Sequence, residues 1–286
     1  MKHLLLGLSV MISSTAAFGF PDLERTLKED QIDFSAFRSF RADYDFTGIV
    51  SLGNCSGSIV RFDDSAPDDQ AMVLTNGHCI RLIDPGEVLV DDRSRKSFTV
   101  LNADARRIGR VNATKLMYAT MTKTDFALYQ LRETYAEIED KFSVTPLTFS
   151  REYPAIGSSI EIISGYWRRG YSCEIEEIAF SLKEGDWLFT DAIRYSRPGC
   201  EVIGGTSGSP AIDATSRLVI GVNNSINEKG QECRINNPCE IDEEGEVFYE
   251  KGVGYAQQTA WVYSCRDSLG SFDINVEGCL LPKPQN

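Results

Sequence analysis

From Ile49 onward the chain is written in short apolar runs separated by polar turn clusters. Ile49-Val50-Ser51-Leu52, Gly57-Ser58-Ile59-Val60, Met72-Val73-Leu74 and Val88-Leu89-Val90 each have the length and β-branched content of a strand. Acidic clusters at 63–69 and 91–94 read as the loops between them. Phe126-Ala127-Leu128-Tyr129-Gln130-Leu131 is a further strand, and a linker with Pro146 and Pro154 near its two ends follows. The second half repeats the texture with strands at 160–163, 175–180, 187–189 and 218–222. Many short strands without a long helical period predict an all-β protein, barrel or sandwich. Two similar halves of roughly 100 residues fit two barrels better than one pair of sheets.

The first 45 residues have a different character. Lys2 and His3 precede the apolar run Leu4-Leu5-Leu6-Gly7-Leu8-Ser9-Val10-Met11-Ile12, and small residues follow up to Gly19. That is the layout of a secretory signal over residues 1–19, cleaved after Ala16, Ala17 or Gly19. The run is far short of the roughly 20 residues a bilayer span needs, and no later segment reaches that length. Residues 20–45 carry Leu23, Leu27, Ile32, Phe34, Phe37 and Phe40 at irregular helical spacing. They read equally as a short helix, a propeptide or an arm on the main body. The expectation is a secreted or periplasmic protein, without membrane association, whose cysteines oxidise. Removal of the signal leaves His78 as its single histidine.

Composition narrows the classes. Hydrophobic residues make up 42% of the 286 and charged residues 25%, which excludes a disordered or fibrous chain. A net charge of −13 argues against a nucleic-acid surface, which needs basic patches to neutralise phosphates.

Three stretches carry chemistry. Leu74-Thr75-Asn76-Gly77-His78-Cys79 ends a strand in a turn bearing that histidine, Thr124-Asp125-Phe126-Ala127-Leu128 places an acid at a strand entrance, and Gly204-Gly205-Thr206-Ser207-Gly208-Ser209-Pro210 flanks a serine with glycines. A serine hydroxyl attacks at neutral pH only when a base takes its proton, a task suited to imidazole with its reference pKa near 6.5. A buried carboxylate fixes the imidazole tautomer, and glycines let backbone N–H groups converge on a developing oxyanion. Singly, each stretch reads as an ordinary turn or loop acid. Metal binding at His78 and Cys79 lacks further ligands, since there is no other mature histidine and no Cys-Xaa-Xaa-Cys pair.

The order His, Asp, Ser in these contexts resembles the chymotrypsin-like (trypsin-like) serine proteases, closer to bacterial secreted members. Cys55-Ser56-Gly57-Ser58, Ile163-Ser164-Gly165-Tyr166-Trp167 and Leu218-Val219-Ile220-Gly221-Val222 extend the match over residues 46 to 260. The resemblance implies two six-stranded antiparallel β-barrels, over 46–142 and 143–265 with a tail at 266–286, and an active site in the cleft between them. It implies Ser207 as nucleophile, His78 as general base, Asp125 as its orienting acid, and the N–H groups of Gly205 and Ser207 as oxyanion hole. It implies an endopeptidase acting on protein or peptide substrates through an acyl-enzyme, as a monomer, with no metal and no cofactor. The alternative is a secreted binding or adhesion protein on the same fold. The α/β-hydrolase elbow is excluded, because position 209 is Ser and the histidine comes first.

One departure matters. Animal members carry Asp immediately before the nucleophile, paired with a freed amino terminus; here that residue is Thr206. The resemblance pairs Cys55 with Cys79 and Cys173 with Cys200, leaving Cys233–Cys239 and Cys265–Cys279. It also points to Glu201, Val202, Asn224, Ser225 and Gly254 as substrate-binding residues. By straight count back from Ser207, Glu201 is either an acidic pocket floor selecting Arg or Lys, or is turned to solvent by Cys200. The acidic run Glu240, Asp242, Glu243, Glu244 and Glu246 is either a solvated face or a flank of the cleft.

Overall fold

The structure, a computed structural model, describes residues 44–285. The expected signal, and all but the last two residues of the expected extension, lie outside the described residues.

The first half contains β1 (Ile49–Ser51), β2 (Ser56–Arg61), β3 (Gln70–Thr75), β4 (Val88–Arg93), β5 (Ser97–Leu101), β6 (Arg107–Thr120) and β7 (Phe126–Thr134). Pairing runs β1-β5-β6-β7-β3-β2 and returns to β1, so six antiparallel strands close into a barrel, with β4 added to β6 outside the ring. Closure leaves no edge to template further pairing. The run Met72-Val73-Leu74 is continuously apolar because both faces of β3 are buried. Ala71 and Val73 pack with Val50, Ile59 and Phe98, whereas Met72 and Leu74 pack with Phe46, Val60 and Leu128.

Between β7 and the stretch read as a linker lies an α-helix, α1 (Tyr135–Phe142). Thr134 accepts from Glu137 N–H while the Glu137 carboxylate accepts from Thr134 N–H, a capping box that satisfies two otherwise orphaned donors. Beyond it β8 (Leu147–Thr148) runs parallel to β2.

The second half contains β9 (Ser159–Ser164), β10 (Arg169–Glu184), β11 (Trp187–Tyr195), β12 (Pro210–Asp213), β13 (Val219–Ile226), β14 (Cys239–Ile241), β15 (Val247–Phe248) and β16 (Gly254–Gln258). Its pairing runs β11-β16-β13-β12-β9-β10 and back to β11, a second six-strand ring filled by Ile160, Ile162, Ile193, Tyr195, Ala211 and Ile220. The β14–β15 hairpin adds to β10. This is the mostly β, chymotrypsin-like architecture. A 3-10 helix, Ala260–Cys265, follows, and the tail returns over the first barrel, where Tyr118 Oη donates to Pro282 O at 2.9 Å.

Four disulfides are present: Cys55–Cys79, Cys173–Cys200, Cys233–Cys239 and Cys265–Cys279. Such bonds persist in oxidising compartments outside the cytoplasm. No described helix is long and apolar enough to cross a membrane. Cys55–Cys79 spans 24 residues and fixes the turn that carries His78 to the start of β2. Replacing both cysteines by alanine should cost about 3 kcal/mol, from the loop entropy regained by the unfolded chain. Urea unfolding of the double variant against the parent measures this as a lower midpoint.

Candidate active site

The first barrel delivers its two groups from neighbouring strand ends. β3 stops at Thr75, and the following turn presents His78; β7 begins at Phe126, immediately after Asp125. Because β3 and β7 are paired, these termini lie side by side. His78 Nδ1 stands 2.6 Å from Asp125 Oδ2, and His78 N–H donates to Asp125 Oδ1 at 3.1 Å. Asp125 is 1% exposed and can hold a charge there because these donors reach both of its oxygens. The neutral imidazole is thereby held with its proton on Nδ1 and Nε2 free to accept.

Ser207 comes from the second half, in the loop before β12, and lines the same cavity of about 110 Å³ as His78 and Asp125. Its Oγ donates to Asn224 O at 3.3 Å. The loop is bound to the first barrel at three points, the longest a donation from Ser56 Oγ to Gly205 O at 3.4 Å. Ser56 N–H donates to Ser207 O at 2.8 Å, and Gly208 N–H donates to Asn76 Oδ1 at 2.5 Å. Asn76 is wholly buried and also donates through Nδ2 to Asp125 O at 2.8 Å, so one amide joins the three chemical segments. Gly208 has φ +79°, and a Cβ there would lie 2.1 Å from Ser56 O, so only glycine brings the loop this close.

The loop preceding Ser207 is ordered without an acid at position 206. Thr206 is fully buried and its Oγ1 accepts from Ile203 N–H. The exposed Trp167 donates from Nε1 to Gly204 O at 2.8 Å. Gly205 has φ +88°, and a Cβ on it would meet the rings of Tyr166 and Trp167. Among the described residues, neither Gly205 N–H nor Ser207 N–H has a hydrogen-bond partner.

The residues assigned to substrate binding separate. Val202, Asn224 and Ser225 line the cavity. Glu201 does not; it is exposed, because the buried Cys200, bonded to Cys173, and the buried Val202 on either side take the inward positions. Gly254 is buried behind the wall against Tyr195 and Val202. The acidic run is also set apart. Glu240 is buried, with both carboxylate oxygens on Arg194 at 2.9 Å, while Asp242, Glu243, Glu244 and Glu246 are exposed around the β14–β15 turn, away from the cavity. Sequence reasoning missed Asn76, Ser56, Trp167 and Glu184. Asn76, Ser56 and Trp167 stand inside motifs that it singled out; Glu184 carries no local signal. Cys55 and Cys79 Sγ lie close to His78, but they are bonded to each other and offer no thiolate.

Burial works against a charge on His78. The adjoining Asp125 carboxylate, by charge and hydrogen bond, and Glu184 by charge outweigh it and hold the imidazole pKa above its ordinary value. His78 is the one histidine among the described residues. NMR titration of its ring should therefore give a pKa above about 6.5. Asp125→Asn should lower that value, and Glu184→Gln should lower it by less.

A family model described as a trypsin-like peptidase domain matches residues 55–222. No match is found among curated proteins. Among solved structures, a Glu endopeptidase in complex with MPD is 19% identical, with a TM-score of 0.45 over 75% of this chain and 86% of that one. Nocardiopsis protease is 16% identical, with a TM-score of 0.42 over 75% and 92%. Neuropsin, a serine protease of mouse brain, is 12% identical, with a TM-score of 0.44 over 77% and 92%.

Proposed function

Because the chain belongs to the trypsin-like peptidase family, we propose that it is an exported serine endopeptidase with Ser207 as nucleophile, His78 as base and Asp125 as its orienting acid. The observation that carries this reading is the His78–Asp125 pair, its carboxylate buried, opening on one cavity with Ser207. In the reaction Ser207 Oγ turns from Asn224 O to His78 Nε2, gives up its proton there and bonds to the substrate carbonyl carbon. The imidazolium, stabilised by Asp125, returns that proton to the leaving amine. Water, activated by the same imidazole, then hydrolyses the acyl-enzyme and frees Ser207.

The oxyanion formed at each step is received by the unpartnered N–H groups of Gly205 and Ser207. Their aim follows from peptide geometry. Gly204 C=O and Gly205 N–H belong to one planar trans unit and point in opposite directions. By fixing the carbonyl, the Trp167 indole turns the Gly205 N–H the other way, leaving it free to receive the oxyanion. Trp167 thus does for this loop what an acid paired with the amino terminus does in animal relatives, and Thr206 leaves nothing for such a pairing to hold.

Intact-mass spectrometry after a fluorophosphonate probe tests the assignment. A single adduct is expected that disappears in Ser207→Ala while thermal stability is retained; an adduct that persists in Ser207→Ala refutes it. Trp167→Phe keeps a ring but removes the donor. It should lower kcat by about tenfold to hundredfold with little change in KM, as expected for loss of transition-state stabilisation alone.

A further inference from the structure

We propose that Glu184 forms a subsite for a Lys or Arg side chain of the bound peptide on the acyl side of the scissile bond, an inference that rests on the peptidase reading above. Glu184 ends β10 and lines the same cavity as His78 and Ser207. Its position is built. Gly185 N–H donates to Cys233 O at 3.0 Å, and Asn236 N–H donates to Glu184 Oε1 at 2.7 Å, so the loop closed by Cys233–Cys239 pins the β10–β11 turn. Among the described residues the one other donor acting on the carboxylate is the Ser225 hydroxyl.

The charge balance of the cavity calls for a cation. Asp125, Glu184 and Glu228 line it, with no Lys or Arg among the lining residues. Asp125 is matched by His78, whereas Glu184 has no ion-pair partner among the described residues. Burial raises its proton affinity, the sign of a carboxylate short of compensation. Leu82, Met121, Trp187 and Ile235 supply apolar wall for an aliphatic stem ending in a charged head.

A further group points to a peptide. Asn224 lines the cavity, is 4% exposed, and its Nδ2 has no partner among the described residues; a bound main-chain carbonyl would satisfy it. The exposed Glu201 offers no competing explanation for basic selectivity.

The test is a positional-scanning library of fluorogenic peptides cleaved by the parent and by Glu184→Gln. The parent is expected to favour Lys or Arg over Leu at one acyl-side position. In Glu184→Gln that ratio of kcat/KM should fall about tenfold to hundredfold, the range of a charge-assisted hydrogen bond in a partly dry site. Taking the ratio between substrates cancels any common effect through His78. Glu243→Gln, on the exposed β14–β15 turn, should leave the ratio unchanged. An enzyme that takes the fluorophosphonate but shows no basic preference, or keeps it in Glu184→Gln, overturns the subsite alone. Absence of the adduct from the parent defeats the peptidase reading instead. The subsite is then judged by calorimetry with agmatine on Ser207→Ala, where a further Glu184→Gln change should weaken binding at least tenfold. Equal affinity, or no binding to Ser207→Ala, overturns it.

Discussion

The Asn76 carboxamide is the contact on which the candidate site turns. A peptide segment such as the loop before β12 is free to shift by several ångströms unless its backbone is tied down, and chemistry between side chains tolerates far less. Asn76 removes that freedom by accepting from Gly208 N–H and donating to Asp125 O, both in a buried setting. An amide suits the position because it offers a donor and an acceptor on one rigid plane. Ser56 repeats the device with its own N–H on Ser207 O and its hydroxyl on Ser164 and Tyr166. The Ser207 loop is therefore referenced to the first barrel directly.

Ordering of the loop before Ser207 follows a second economy. An ion pair buried beneath such a loop must overcome the desolvation of both charges. Here a neutral threonine fills the space, and one indole N–H on the rim fixes the peptide orientation. The glycine at 205 is demanded twice, by its positive φ and by the two aromatic rings lying against it.

Charge is distributed by the fold in a way composition conceals. The most acidic stretch lies on a hairpin turn facing water, and its one inward member, Glu240, is neutralised by Arg194 and accepts from Tyr255 Oη. Glu184, from a strand end with no neighbouring acid cluster, faces the cavity beside Glu228.

The sequence by itself determined the all-β class, the two-barrel organisation and the three chemical stretches. Those depend on local quantities: the two-residue alternation of strands, turn-forming clusters, and residue types rare enough to be noticed together. It did not disclose β6, whose polar residues alternate to solvent and blur the apolar run, nor α1, although Thr134 and Glu137 stand at capping-box spacing. The tertiary structure alone decided that Glu201 faces out and Glu184 faces in, and that Asn76 bridges the halves. A count along the chain cannot see a disulfide rotating its neighbour to solvent, nor two groups 132 residues apart sharing one hydrogen bond. Side-chain direction is set by closure of the barrels and by which partners that closure brings within reach.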